Sequence, residues 1–154
     1  SMFSKEEARK LKTEFWTSFG FYMKKHRNHR NEKINWVNYK TKCKDIYFRL
    51  DVDNKKANFS IDIQQNDEGI RTLFYEQFTE LKTVLNSSFE YELEWDLEYY
   101  TEHGVISRIG CELKGISVNN KNTWKEIFLF MERNILDAHN FWEDFGEIFI
   151  ALEE

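Results

Sequence analysis

Two neighbouring stretches in which apolar and polar residues alternate constrain this fold more than any other feature of the chain. They cover residues 45–53 and 57–64, and the turn-like tripeptide Asn54-Lys55-Lys56 separates them. Because successive side chains of a β-strand point to opposite sides, the pattern predicts an antiparallel hairpin with one apolar and one polar face. The predicted apolar face consists of Ile46, Phe48, Leu50, Val52, Ala57, Phe59, Ile61 and Ile63. The predicted polar face consists of Tyr47, Arg49, Asp51, Asp53, Asn58, Ser60, Asp62 and Gln64.

Three further segments have the composition of strands. Residues 35–41 lead into the hairpin, and residues 89–99 alternate aromatic or Leu residues with five carboxylates. Residues 105–113 follow a turn-like segment and place apolar residues at alternate positions. These segments bring the predicted number of strands to five, and the short connections between consecutive strands favour antiparallel pairing.

Apolar residues spaced by three and four predict three helices. The first begins at a capping box opened by Ser4, the second begins near Asp67 and ends near Ser88, and the third begins near Thr123. The element order is therefore α-β-β-β-α-β-β-α. We expect one α+β domain over residues 2–154, with a mainly antiparallel five-stranded sheet, three helices and one polar sheet face.

The composition fits a single packed domain and gives no sign of a membrane protein. Hydrophobic residues make up 41% of the 154 residues, and no apolar run reaches the roughly 18–20 residues that span a bilayer. Cys43 and Cys111 lie far apart and lack metal-ligand spacing. We expect a cytoplasmic protein with reduced thiols and no cofactor.

Charge is divided unevenly along the chain. Residues 1–50 hold 13 Lys or Arg and 5 Asp or Glu, whereas residues 51–154 hold 9 and 22. This asymmetry has two explanations. The basic segment forms a contact surface for an anionic partner, or it lies against the acidic part of the same chain.

The clearest cationic cluster leads into the hairpin. Lysines and arginines can contact phosphates there, and exposed aromatic rings can stack on bases. The candidate nucleic-acid-binding residues are Lys33, Trp36, Tyr39, Lys40, Lys42, Lys44 and Arg49. The alternative is a solvated basic loop in which Trp36 and Tyr39 belong to the core.

The polar face of the hairpin carries a second candidate site. The order α-β-β-β-α-β resembles the core of the PD-(D/E)xK nuclease superfamily, in which acids on two strands hold Mg²⁺. The resemblance implies Asp51 or Asp53 as the first acid, Asp62 as the second, and Gln64 at the position of the catalytic lysine. Asp51 and Asp62 are then the candidate Mg²⁺ ligands. Gln64 lacks the charge of lysine, and a wet sheet face accounts for the same residues.

Two residue pairs that contain histidine have helix-compatible ligand spacing. They are His26 with His29, and His139 with Glu143. Each pair lacks a third ligand in sequence, so a metal site is not predicted for either.

Several pieces of the chain together resemble a bacterial family of unknown function. They are Phe15-Trp16, Lys33-Ile34-Asn35-Trp36-Val37-Asn38-Tyr39-Lys40-Thr41, Asp45-Ile46-Tyr47-Phe48-Arg49-Leu50-Asp51, Ser107-Arg108-Ile109 and Phe141-Trp142. Members look like stand-alone proteins of this size or like domains that follow a restriction-type nuclease domain. The resemblance implies a setting in DNA processing or phage defence, and it brings no assigned catalytic residues.

Three functions follow as hypotheses. The leading one is a non-enzymatic accessory module that contacts nucleic acid or a nuclease partner. The second is a divergent Mg²⁺-dependent nuclease, and the third is a protein–protein interaction module, with a homodimer as one version.

Overall fold

The computed structural model describes residues 4–153 as one α+β fold. Its helices are α1 (Lys5–Tyr22), α2 (Glu68–Glu80), α3 (Lys82–Ser88) and α4 (Trp124–Leu152), with short 3-10 turns at Met23–Lys25 and Lys121–Thr123. Its strands are β1 (Ile46–Val52), β2 (Lys56–Ile63), β3 (Glu94–Thr101) and β4 (Gly104–Lys114). Within residues 4–153, none of the helices combines the length and the apolar character needed to cross a bilayer.

The predicted hairpin is confirmed as β1 and β2. The strands pair antiparallel from Ile46 opposite Ile63 to Val52 opposite Ala57. Phe48 and Ile61 are 4% and 0% exposed, so the apolar face is turned inward as the alternation requires. The four strands form one antiparallel sheet in the order β1-β2-β4-β3, which leaves β1 and β3 as its edges.

Helix α4 covers the apolar face of the sheet, and two other helices pack against α4. The Trp142 ring on α4 lies edge-on to Phe48 of β1, 5.3 Å between centroids. The ring centroids of Phe78 on α2 and Phe149 on α4 are 4.1 Å apart. On α1, Phe15 lies 5.2 Å from Phe128 of α4. Aromatic rings thus join the helices to each other and to the sheet, and the opposite sheet face remains polar.

The sequence prediction of five strands is wrong, because residues 35–41 form turns instead of a strand. The Asn35 side-chain oxygen accepts a hydrogen bond from the backbone N–H of Asn38 at 2.9 Å. Thr41 Oγ1 accepts the amide of Cys43 at 3.1 Å and donates to the carbonyl of Ile46 at 2.8 Å. Such side-chain bonds offer the backbone an alternative to a sheet ladder. The sheet therefore has four strands.

The sequence prediction of three helices is also wrong, because the second predicted helix is divided at Leu81. Leu81 has φ −99° and ψ 15°, and its amide bonds to the carbonyl of Phe78 three residues back. Phe78 and Leu85 are both fully buried, one on each side of the break. Periodicity stays nearly regular across such a change of direction, so the apolar pattern reads as one helix.

A bulge in β3 changes which side chains reach the polar face. The predicted strand 89–99 begins only at Glu94, and its register with β4 shifts between Asp96 and Tyr99. An extra residue in one strand reverses the sidedness beyond it. Tyr99, which a regular alternation would place on the same side as Trp95, instead lies under the Arg108 guanidinium, 4.0 Å from Cζ to the ring centroid.

Candidate nucleic-acid interface

The basic segment, residues 26–45, connects α1 to β1 and is fixed to α4 near its start. Tyr22 donates to Glu132 Oε1 at 2.6 Å, and His26 Nε2 lies 2.6 Å from Glu132 Oε2. Burial acts to raise the pKa of Glu132, but the hydrogen bonds from Tyr22 and His26 and the charge of Lys25 hold it below its ordinary 4.5. The segment therefore leaves α1 from an anchored point.

A second anchor lies further along the segment. Tyr39 Oη and His139 Nδ1 are 2.7 Å apart, and His139 Nε2 is 3.3 Å from Glu143 Oε1. Because a carboxylate only accepts, Nε2 carries the hydrogen and Nδ1 accepts from Tyr39. Burial lowers the pKa of His139 from its ordinary 6.5; the Glu143 charge opposes this effect, and His29 adds to it. The neutral imidazole thus holds the middle of the segment on α4.

His29 also reaches Glu143, with Nδ1 3.5 Å from Oε2. His29 of the first pair therefore meets the second pair, His139 with Glu143, at one carboxylate, which spacing along the chain does not reveal, whereas His26 contacts Glu132. Within residues 4–153 no group of three or more His, Cys, Asp or Glu side chains could hold a metal ion. The convergence fastens the segment and offers no assembled metal site.

The lysines of the basic segment face solvent. Lys33, Lys40, Lys42 and Lys44 are all exposed, and in the described part of the chain their ammonium groups form no ion pair. The ion pairs in this region are formed by other cations: Lys25 lies 3.4 Å from Glu132, and Arg49 lies 3.6 Å from Asp62. The carboxylates of the described residues thus do not neutralise these four lysines, whose ammonium groups can contact an external anion.

Three of these lysines border an open groove between the basic segment and β1. The groove has a volume of about 940 Å³, and Lys40, Lys42, Lys44 and Arg49 are among its lining residues. The Arg49 guanidinium lies over the Tyr47 ring, 4.3 Å from Cζ to the centroid. A second, smaller cavity of about 410 Å³, which we call the recess, adjoins the groove and shares Lys40 and Lys42 with it.

The two aromatic candidates serve the core. Trp36 is 4% exposed and donates its indole N–H to the carbonyl of His26 at 3.3 Å. Tyr39 is half-buried, stacks on Phe48 at 5.2 Å and donates to His139. The Trp36 ring is therefore closed to a base, whereas the Tyr39 ring lines the groove with Phe48 stacked against it. Tyr47, which lies between the basic residues in sequence, is 37% exposed and lines the groove together with Trp16, Tyr39 and Phe48.

The acidic candidates of the hairpin do not converge. Asp62 is 1% exposed, and Arg108 binds both of its carboxylate oxygens, at 2.7 and 2.9 Å. Asp51 lies opposite Asn58, four residues from Asp62 along the hairpin, which corresponds to about 13 Å. Asp53 accepts the amides of Lys55 and Lys56 and closes the turn. Asp51 and Asp62 are too far apart to bind one Mg²⁺, whose ligands lie about 2.0–2.1 Å from the ion.

Gln64 and the two cysteines lie in surroundings that support the fold and do not favour catalysis. Gln64 is half-buried. Its backbone N–H donates to the carbonyl of Asp45 at 2.8 Å, which extends the hairpin by one pair. Burial raises the pKa of Cys43 and of Cys111 to about 12. Both free thiols therefore stay protonated near neutral pH and are poor nucleophiles.

Comparison with known proteins identifies a family and no activity. The family model described as "Domain of unknown function (DUF4268)" matches residues 11–147. No curated protein and no solved structure matches the chain.

Proposed function

The chain belongs to the DUF4268 family, a domain of unknown function, and on that premise we propose that it is a non-enzymatic module that contacts nucleic acid through the basic segment. The observation that carries the proposal is the set of exposed lysines without an ion pair in the described part of the chain. These are Lys33, Lys40, Lys42 and Lys44.

Phosphate contact explains why such lysines would be left without carboxylate partners. Each cation that neutralises a phosphate releases condensed counterions, and this release dominates the affinity of most non-specific complexes. Lys40, Lys42 and Lys44 line one groove, so a phosphodiester chain lying in it would meet several cations in succession. Anchoring of the segment to α4 through Glu132 and His139 limits the conformational entropy that binding would cost.

We expect this surface to contact the phosphate backbone of a nucleic acid and not its bases. Trp36 is in the core, and Tyr39 is held between Phe48 and His139. Base readout needs hydrogen-bonding side chains or free ring faces, whereas lysines on phosphates position a strand without reading its sequence. We therefore expect weak sequence preference and strong salt dependence.

The wider setting follows from the resemblance described above. Domains that accompany restriction-type nucleases favour DNA processing or phage defence, in which this module would hold nucleic acid for a nuclease partner in the cytoplasm. The separation of Asp51 from Asp62 and the pairing of Asp62 with Arg108 favour binding over metal-dependent cleavage by this chain itself.

Fluorescence anisotropy tests the proposal. The chain is titrated into labelled single-stranded DNA, duplex DNA and single-stranded RNA at several salt concentrations. Lys40→Glu with Lys42→Glu should weaken binding more than tenfold and lower the slope of log K against log salt by about two, one for each phosphate that is no longer neutralised.

The matched control is Lys5→Glu with Lys125→Glu, which changes the net charge by the same amount. Both control residues are exposed, and Lys125 lies 14 residues before His139 on α4, about 21 Å along the helix axis. Binding that resists salt, or that falls equally in both double variants, would contradict the proposal.

A further inference from the structure

The recess beside the groove collects positive charge from both ends of the basic segment. Its lining cations are Arg30, Lys33, Lys40 and Lys42. Like the lysines, Arg30 is exposed and forms no ion pair within residues 4–153. Four cations therefore border a cavity of about 410 Å³.

Two carboxylates also line the recess, and both have local partners. Glu32 accepts from the Asn28 side-chain amide at 3.2 Å. Glu143 faces the imidazoles of His139 and His29, at 3.3 and 3.5 Å. The formal charge of the lining is still positive, because four cations oppose two carboxylates. An anion entering the recess would thus meet cations whose charge is not already matched.

The recess and the groove form one surface through Lys40 and Lys42, which line both cavities. Lys44 and Arg49 border only the groove, whereas Arg30 and Lys33 border only the recess. A strand whose backbone lies along the groove can therefore place its terminus in the recess. A terminal phosphate monoester carries a charge of about −1.5 to −2 near pH 7, more than the single charge of a diester.

We propose that the recess binds the terminal phosphate monoester of a nucleic-acid strand whose backbone lies in the groove. This inference rests on the proposed function. Arg30 and Lys33 supply the contacts that only the terminal phosphate makes, and Lys40 and Lys42 bridge it to the first diesters. Arg30 can donate two parallel N–H groups to phosphate oxygens, and the lysines act as point charges.

The experiment compares strand ends at constant sequence. The probes are single-stranded DNA of about 12 nucleotides, within the range of single-strand binding sites, and a blunt duplex of the same sequence. Each carries hydroxyl groups at both ends, a 5′-phosphate or a 3′-phosphate, with an internal fluorophore. A probe one nucleotide longer with hydroxyl ends controls for added charge. One of the two phosphates should tighten binding by about tenfold, as expected for hydrogen bonds to a charged group.

Two pairs of substitutions separate the recess from the groove. Arg30→Gln with Lys33→Gln should abolish the gain from the terminal phosphate. It should weaken binding of the hydroxyl-ended probe less than the groove pair below does, because Lys33 belongs to the proposed surface but neither side chain borders the groove. Lys44→Gln with Arg49→Gln should weaken all probes by a similar factor and preserve the gain. Far-ultraviolet circular dichroism and thermal melting confirm that both variants fold.

The outcomes distinguish the two proposals. Binding of hydroxyl-ended probes with salt dependence, but with no gain from either phosphate beyond that of the longer control, overturns the terminal-phosphate site and leaves the proposed function standing. A gain that survives Arg30→Gln with Lys33→Gln also overturns it. Absence of salt-sensitive binding to every probe overturns the proposed function itself.

Discussion

Arg108 binds Asp62 through two parallel hydrogen bonds, from Nε to Oδ1 at 2.7 Å and from Nη2 to Oδ2 at 2.9 Å. The two residues lie directly opposite each other on β4 and β2. Asp62 is 1% exposed although it belongs to the polar face, because Arg108 and Arg49 cover it. The Tyr99 ring, brought to this face by the β3 bulge, lies against the Arg108 guanidinium. The most buried carboxylate of the hairpin thus has a structural partner.

The first prediction is that Asp62→Asn destabilises the protein by about 3 kcal/mol, because removing one member of a buried ion pair leaves the other charge uncompensated. Chemical denaturation measures the loss. Asp51→Asn is the matched control: Asp51 is exposed, and among residues 4–153 its side chain accepts only from the backbone N–H of Val52. Its replacement should therefore cost less than about 1 kcal/mol. Equal stability of the two variants would show that the Arg108 pairing contributes nothing.

The second prediction concerns Trp36. Trp36→Phe should lower the free energy of unfolding by about 1–2 kcal/mol, through loss of the hydrogen bond to the His26 carbonyl and of packing. The dissociation constant for single-stranded DNA should stay within about twofold, whereas a ring that stacks on a base contributes about 1–3 kcal/mol. Lys42→Gln, which leaves the core intact, should show the opposite result. Strong loss of affinity in folded Trp36→Phe would place the indole in the interface.

The hairpin could be predicted from sequence because its signal is local. Alternation alone determines that Phe48 and Ile61 face inward and Asp62 outward, whatever the rest of the chain does. The same rule misleads at residues 35–41, where Asn35 and Thr41 bond to the backbone in place of a partner strand. It also misleads at Tyr99, because a bulge shifts the register without a marker in the composition.

The candidate surface was predictable in its charges and not in its aromatic rings. Lysines reach solvent whatever the fold, since burying an unpaired ammonium is costly. The side of the chain on which Trp36 lies depends instead on α4, far later in sequence, whose His139 ring lies 5.2 Å from the indole. The meeting of His29 and His139 at Glu143 is equally a tertiary event.

The third prediction pairs two glycines of opposite behaviour. A Cβ on Gly110 of β4 would lie 2.3 Å from the carbonyl oxygen of Phe59 on the neighbouring strand. Gly110→Ala should therefore destabilise the protein by about 1–3 kcal/mol, the usual cost of overpacking. Gly20 is inside α1, and among residues 4–153 no atom that could oppose a Cβ lies within 4 Å of it. Gly20→Ala should stabilise by about 0.5–1 kcal/mol.

Thermal and urea unfolding of both variants check the pair. The contrast tests the close approach of β2 and β4 independently of helix propensity. A neutral Gly110→Ala would mean that the two strands can separate at no cost.

The last prediction is a pH dependence of stability that comes from His139. Burial lowers the pKa of its imidazole below the ordinary 6.5, so the unfolded chain binds a proton more readily than the folded one. This contribution to stability is complete above about pH 6.5 and is lost as the pH falls towards the folded pKa. Glu132, whose pKa is held below 4.5, loses its contribution only at more acidic pH.

His139→Gln should therefore be less stable than the wild type near neutral pH, because Tyr39 and Glu143 lose their ring partner, and the difference should shrink as the pH falls to about 5.5. Denaturation curves across this range measure both stabilities. His103→Gln is the control, since the His103 side chain is 90% exposed and its imidazole pairs only with Glu102 in the described part of the chain; its curve should run parallel to the wild type. A His139→Gln curve that also runs parallel would show that His139 is protonated equally in the folded and unfolded states, and the anchor of the basic segment would then not depend on a neutral imidazole.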